Sequence, residues 1–181
     1  VPAGQQVKIT GIGEDSEISV TATPNGNSFP AKLYTQEECR SENRGSGTMR
    51  EASTRIVRTV FDKTNTEVAN LVVGEVIDYP GKWSSYPPHH HVQPEIYFYK
   101  FHPGQGFGYA ELGENVLKVR NNDTVLIVND ETHPQTTAPG YAMYYIWVIR
   151  HLDGNPYINP VFVPEHLWVL DRDAEIWPEK Q

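Results

Sequence analysis

Apolar and polar positions alternate along much of the chain. Gln6-Val7-Lys8-Ile9-Thr10 and Glu17-Ile18-Ser19-Val20-Thr21-Ala22 each place apolar side chains at every second position. A period of two marks a half-buried strand, so both stretches predict strands, with Gly11, Gly13 and Asp15 in the turn between them. Further strands are predicted at 55–61, 70–78, 95–101, near 109–111, at 116–120, 124–128 and 141–149. Asn121-Asn122-Asp123 separates two of these, and Glu95, Tyr97, Tyr99 and Phe101 share one face of another. Helical signals are few. Thr35 before Glu37-Glu38 starts a short helix, and 164–168 holds a helical turn. At least seven short strands with no βαβ unit predict an all-β fold, an antiparallel sandwich or barrel.

Composition sharpens this picture at three points. Ten Tyr, fourteen Gly and fourteen Pro among 181 residues favour short strands and tight turns. A formal net charge of -8 argues against nucleic acid or an anionic membrane as the main partner. Cys39 is the single cysteine, so no intramolecular disulfide can form, and the cytoplasm is the expected compartment. Positive charge concentrates in Arg40, Arg44, Arg50, Arg55 and Arg58. These read as a solvated or interface segment, or as an anion-recognition element, since guanidinium forks suit carboxylates.

The chemistry gathers in Tyr86-Pro87-Pro88-His89-His90-His91-Val92-Gln93-Pro94-Glu95. His89 and His91 are two apart, which on an extended strand puts both imidazoles on one face and His90 on the other. Glu95 opens the next strand, and His133 follows about forty residues later. Three imidazoles and one carboxylate suit one divalent transition metal such as zinc, manganese or iron. A histidine pair, a carboxylate on the next strand and a histidine on a later one can meet only if the sheet curls back on itself. That geometry is a jelly-roll barrel with the metal inside.

His89, His91, Glu95 and His133 resemble the cupin pattern of His-x-His, a short spacer, Glu and a later His. Trp83 to His91, Glu95 to Phe101, Gly106-Phe107-Gly108, His133-Pro134, Ala138-Pro139-Gly140-Tyr141 and Tyr144-Tyr145 are together similar to the 5-deoxy-glucuronate isomerase family of inositol catabolism, whose members are bicupins. The resemblance implies three parts: residues 1–34 as the closing strands of a first cupin, 35–54 as a polar connector, and 55–181 as the metal-binding cupin. It departs from the family where Tyr109-Ala110-Glu111, in place of Gln-Arg, follows Gly108, and where Glu131-Thr132 precedes His133. The implied activity is a metal-dependent aldose–ketose interconversion of a small-molecule sugar acid, in a protein for which a homo-oligomer stays open. The four ligands hold the metal. Tyr97, Tyr99 and Tyr145, by strand facing, and Glu111, by chemical type, are candidates to move the proton. The same ligands also fit an iron-dependent dioxygenase or a non-catalytic sugar-binding cupin.

Overall fold

The computed structural model describes residues 1–177. Twelve strands form among them: β1 (Arg40–Arg44), β2 (Arg55–Phe61), β3 (Leu71–Asp78), β4 (Trp83–Ser84), β5 (His89–His90), β6 (Glu95–His102), β7 (Phe107–Leu112), β8 (Asn115–Arg120), β9 (Thr124–Ile127), β10 (Gln135–Thr137), β11 (Ala142–Arg150) and β12 (Val161–Phe162). They build a six-stranded sheet in the order β1-β2-β3-β11-β6-β9, a four-stranded sheet β4-β10-β7-β8, and a small pair β12-β5. Every pairing is antiparallel. The two larger sheets face each other as an all-β jelly roll. No helix among the described residues is long and apolar enough to cross a membrane.

Alternation decides which side chains enter the barrel. On β6, Glu95, Tyr97, Tyr99 and Phe101 are buried while Ile96 and His102 are exposed. On β3, Val72, Gly74, Val76 and Asp78 point inward. Val57, Val76, Tyr97, Tyr99, Phe101, Val125, Ile127, Met143 and Tyr145 from the larger sheet meet Ala110 and Val119 from the smaller one in a single core. Gly74 is required by contact. A Cβ there would lie 2.3 Å from the Trp147 ring and 2.6 Å from the Arg58 carbonyl oxygen. The glycine lets the indole of β11 lie flat on β3.

Two expectations fail locally. The strands expected at 6–10 and 17–22 do not form, and no strand is present in residues 1–34. Their apolar side chains stay in solvent, including Ile9 at 61% and Val20 at 78% exposure. Alternation supplies a face to bury, but a strand also needs a neighbour for its ladder, and nothing pairs with these residues. What fixes the arm is polar: Asn25 and Asn27 donate to the Val68 carbonyl, Asn70 donates to the Pro24 carbonyl, and Lys100 pairs with Glu17. Conversely, the stretch expected as a connector contributes β1, which pairs with β2 along its whole length. An edge strand facing water on both sides needs no apolar alternation; the ladder alone holds it.

The helical signals hold in tightened form. Gln36–Glu38 and Pro164–Leu170 are 3-10 turns, the first with Glu38 accepting from the Thr35 amide at 2.9 Å.

Candidate metal centre

The site lies at the start of β6, between the two sheets. Glu95 is the first residue of β6 and faces inward, 3% exposed. His91 sits just past the end of β5, whose histidines pair with β12. His133 precedes β10 and is 1% exposed. One donor atom from each of His91, Glu95 and His133 lies within 4.8 Å of the others. Glu95 Oε2 is 3.1 Å from His91 Nε2 and 3.4 Å from His133 Nε2.

His89 stands beside this group. Its ring centroid is 4.7 Å from that of His133, edge to face, but none of its nitrogens joins the three-residue cluster. His90 turns away, with Nδ1 2.7 Å from an Asp130 carboxylate oxygen. The strand spacing separates His90 from the cluster, while His91 joins it and His89 lies beside it, and β5 ends before His91.

The imidazoles are oriented by one device used three times. His89 Nδ1 faces the Pro87 carbonyl at 3.1 Å, His91 Nδ1 the Gln93 carbonyl at 2.8 Å, and His133 Nδ1 the Glu131 carbonyl at 2.8 Å. A carbonyl only accepts, so each Nδ1 carries a proton, and in neutral His89 and His133 the Nε2 keeps its lone pair. Backbone anchoring of the far nitrogen is how metal-binding histidines are held. Burial pushes both His89 and His133 down to about 4, so both are neutral near pH 7. His133 Nε2 is buried with no hydrogen-bond partner. An orphaned buried nitrogen is costly, and a cation beside Glu95 would satisfy it. The donor set, neutral imidazole and carboxylate, suits a divalent transition ion.

Beside the cluster opens a cavity lined by His89, His91, Glu95, Ser85, Tyr97 and Tyr145, with Arg44, Arg55, Trp147 and Tyr157 on its other walls. Tyr97 is hydrogen-bonded to Ser85 at 3.1 Å, and Tyr145 to Ser84 at 2.6 Å. Burial raises the Tyr97 phenol well above its ordinary value and Tyr145 to about 12, so both hold their protons near pH 7. Tyr99 is also on the inward face but lies deeper, donating to Gln135 at 2.6 Å, and is not part of the cavity wall. Glu111 stands outside the cavity and accepts from Thr132 at 2.8 Å. Sequence reasoning did not find Tyr157, whose ring stacks edge-on against His91 at 4.8 Å. It belongs to a loop with no strand signal, pinned where Gln93 donates to the Asn155 carbonyl at 3.0 Å. A larger cavity of about 610 Å³ lies between the N-terminal arm and the β2–β3 loop. No ligating cluster lines it among the described residues, so the chemistry belongs to the smaller one.

Known proteins agree with this architecture. The chain is 30% identical to a 5-deoxy-glucuronate isomerase of Geobacillus kaustophilus (strain HTA426), over 94% of this chain and 64% of that protein. It is 29% identical to the 5-deoxy-glucuronate isomerase of Bacillus subtilis (strain 168), over 91% of this chain and 64% of that protein. The chain thus spans slightly less than two thirds of these curated relatives. Among solved structures, an IolB-like protein from Salmonella typhimurium LT2 superposes with a TM-score of 0.71 at 26% identity, covering 80% of this chain and 58% of the other. The polyketide cyclase RemF of Streptomyces resistomycificus shares the fold at a TM-score of 0.53 and 20% identity, covering 76% of this chain and 89% of the other. The KduI/IolB family model matches residues 1–169, and the chain belongs to that family.

Proposed function

We propose that this chain carries the metal centre of a sugar-acid ketol-isomerase, converting 5-deoxy-glucuronate or a close relative to the corresponding ketose, 5-dehydro-2-deoxy-gluconate for the named substrate. The observation that carries the reading is the convergence of His91, Glu95 and His133 with their ligating atoms aimed at one point. The relatives' names supply the reaction class. His89 is the fourth ligand of the proposal, its Nε2 left free by the Pro87 carbonyl. A bound divalent ion would supply Lewis-acid stabilisation of the negative charge that develops on two adjacent substrate oxygens.

The rest falls to the chain's own side chains. Aldose–ketose exchange moves a proton between neighbouring carbons and another between their oxygens. Tyr97 and Tyr145 hold protons on the cavity wall and are placed to donate to a substrate oxygen. Ser85 bonds Tyr97, and Gln135 approaches Ser85 at 3.4 Å while accepting from Tyr99, which fixes the phenol positions. In this reading Tyr99 is a positioning residue and Glu111 a rim charge. Trp147 and Tyr157 wall the cavity against water. Residues 55–177 form the metal-binding barrel, with β1 as its edge.

Glu95→Gln tests the proposal. It removes the one anionic ligand while keeping side-chain volume. Affinity for the metal and turnover of 5-deoxy-glucuronate should both fall by about ten- to a hundredfold or more, with cooperative thermal unfolding retained. Full metal occupancy and unchanged turnover would remove Glu95 from the centre. Retained metal binding in the native chain with no isomerisation would favour a binding protein.

A further inference from the structure

The same cavity is also lined by two arginines, Arg44 and Arg55. Arg55 opens β2 and is only 4% exposed. Its guanidinium donates to the Ser53 carbonyl and Ser53 Oγ, both at 2.7 Å, and reaches the Tyr86 carbonyl at 3.5 Å. These are neutral acceptors, and they draw on at most three of the five N–H donors. Among the described residues no carboxylate lies within 4.0 Å of it. A buried charge without a counter-charge is expensive.

Its cross-strand neighbours make the arrangement more unusual. Arg44 lies directly opposite Arg55 in the β1–β2 ladder. Like charges facing each other across a ladder repel. Arg44 is half-exposed, bonds Glu42 at 3.0 Å, and stands at the cavity mouth. On the other side the β3 partner of Arg55 is Asp78. Asp78 would be the natural counter-ion, yet both its oxygens are buried without a hydrogen-bond partner. Burial raises its carboxyl to about 7, so at neutral pH it is only partly ionised. Two guanidiniums therefore share the cavity with the histidine–glutamate cluster, and the inner one has no firm ion pair.

We propose that Arg55, with Arg44 at the mouth, is the carboxylate-binding subsite of this cavity, gripping the acid group of a sugar acid whose carbonyl end faces His89, His91 and Glu95. The inference rests on the isomerase reading for the identity of the ligand, and on the paired arginines for its charge. An incoming carboxylate accepts from the free part of the Arg55 fork and relieves the repulsion between the two guanidiniums. The subsite makes acidity, not sugar shape alone, the ticket of entry.

The test compares D-glucuronate with D-glucuronamide, which replaces the carboxylate by a neutral amide of the same shape. Calorimetric binding is measured on the full chain as purified, its metal content determined, and on Arg55→Gln and Arg44→Gln. The native chain should bind glucuronate on the order of ten- to a hundredfold more tightly than glucuronamide. Arg55→Gln should abolish that preference, and Arg44→Gln should reduce it several-fold, with metal content unchanged in both. Equal affinity of the native chain for the two probes, or binding of neither, overturns the proposal, and this comparison decides even if Arg55→Gln does not fold. A preference that survives both substitutions also overturns it. Turnover of 5-deoxy-glucuronate is assayed in parallel. A charge preference without turnover keeps the subsite and sinks the isomerase reading; turnover without a charge preference does the reverse.

Discussion

Residues 6–10 and β2 are both rich in β-branched, strand-type residues, but they have different fates. In β2, Val57 is 3% exposed and the strand is paired on both edges, to β1 and to β3. In the arm, Val7 is 54% and Ile9 61% exposed, and no ladder forms. The intrinsic preferences are alike. What differs is the presence of a partner edge and of an opposing sheet to cover the apolar face. Strand-type residues alone therefore do not make a strand.

Two effects of comparable size would break this contrast, both in the barrel, and the first is steric. Gly74→Val raises strand propensity, yet its branched side chain would meet both the Trp147 ring and the Arg58 carbonyl. Overpacking against backbone should cost about 3 kcal/mol in urea unfolding. A neutral or stabilising result would mean that β3 and β11 do not approach as closely as described, and would make β3 resemble the arm, where only local preference counts.

The second is a pH effect that burial creates. The Asp78 carboxyl sits at about 7 in the folded chain against an ordinary 3.8, because of burial. A group raised in this way contributes stability that is fully present below about 4 and lost as pH rises through about 7. The stability difference between Asp78→Asn and the native chain should move in the variant's favour across that window, by up to about 4 kcal/mol, and stay flat above it. Parallel stability–pH curves for the two proteins would show that Asp78 is ionised throughout and paired to Arg55.

The smallest effects belong to the arm. Ile18→Ser and Val20→Ser should each change stability by no more than about 0.5 kcal/mol, since both residues are exposed. Amides at 6–10 and 17–22 should exchange far faster than those of β3, β6 and β11. Protection of the arm at the level of the barrel would mean that it finds a ladder partner in solution.

The pattern of what could be read follows the range of the forces involved. Runs of strand-type residues between turn signals located β2, β3, β6, β8, β9 and β11 to within a residue or two. His91, Glu95 and His133 could be named because ligand chemistry restricts residue type and the strand period restricts spacing. The ladder could not be read locally where side chains do not report it. The polar β1 is an edge strand, and β10 is a three-residue segment, Gln135–Thr137, bounded by β4 and β7.

The sequence by itself determined the long strands of the barrel, the inward face of β6 and the ligand types, since these depend on neighbours within a few residues. Only the tertiary structure decided that the arm's alternating stretches stay unpaired, that Tyr157 closes on His91, and that Arg44 and Arg55 face one another beside the metal cluster. Those outcomes depend on contacts beyond the few neighbouring residues that set a local pattern. Local pattern cannot encode which edge pairs with which, and pairing is what brings two arginines and two imidazoles to one cavity.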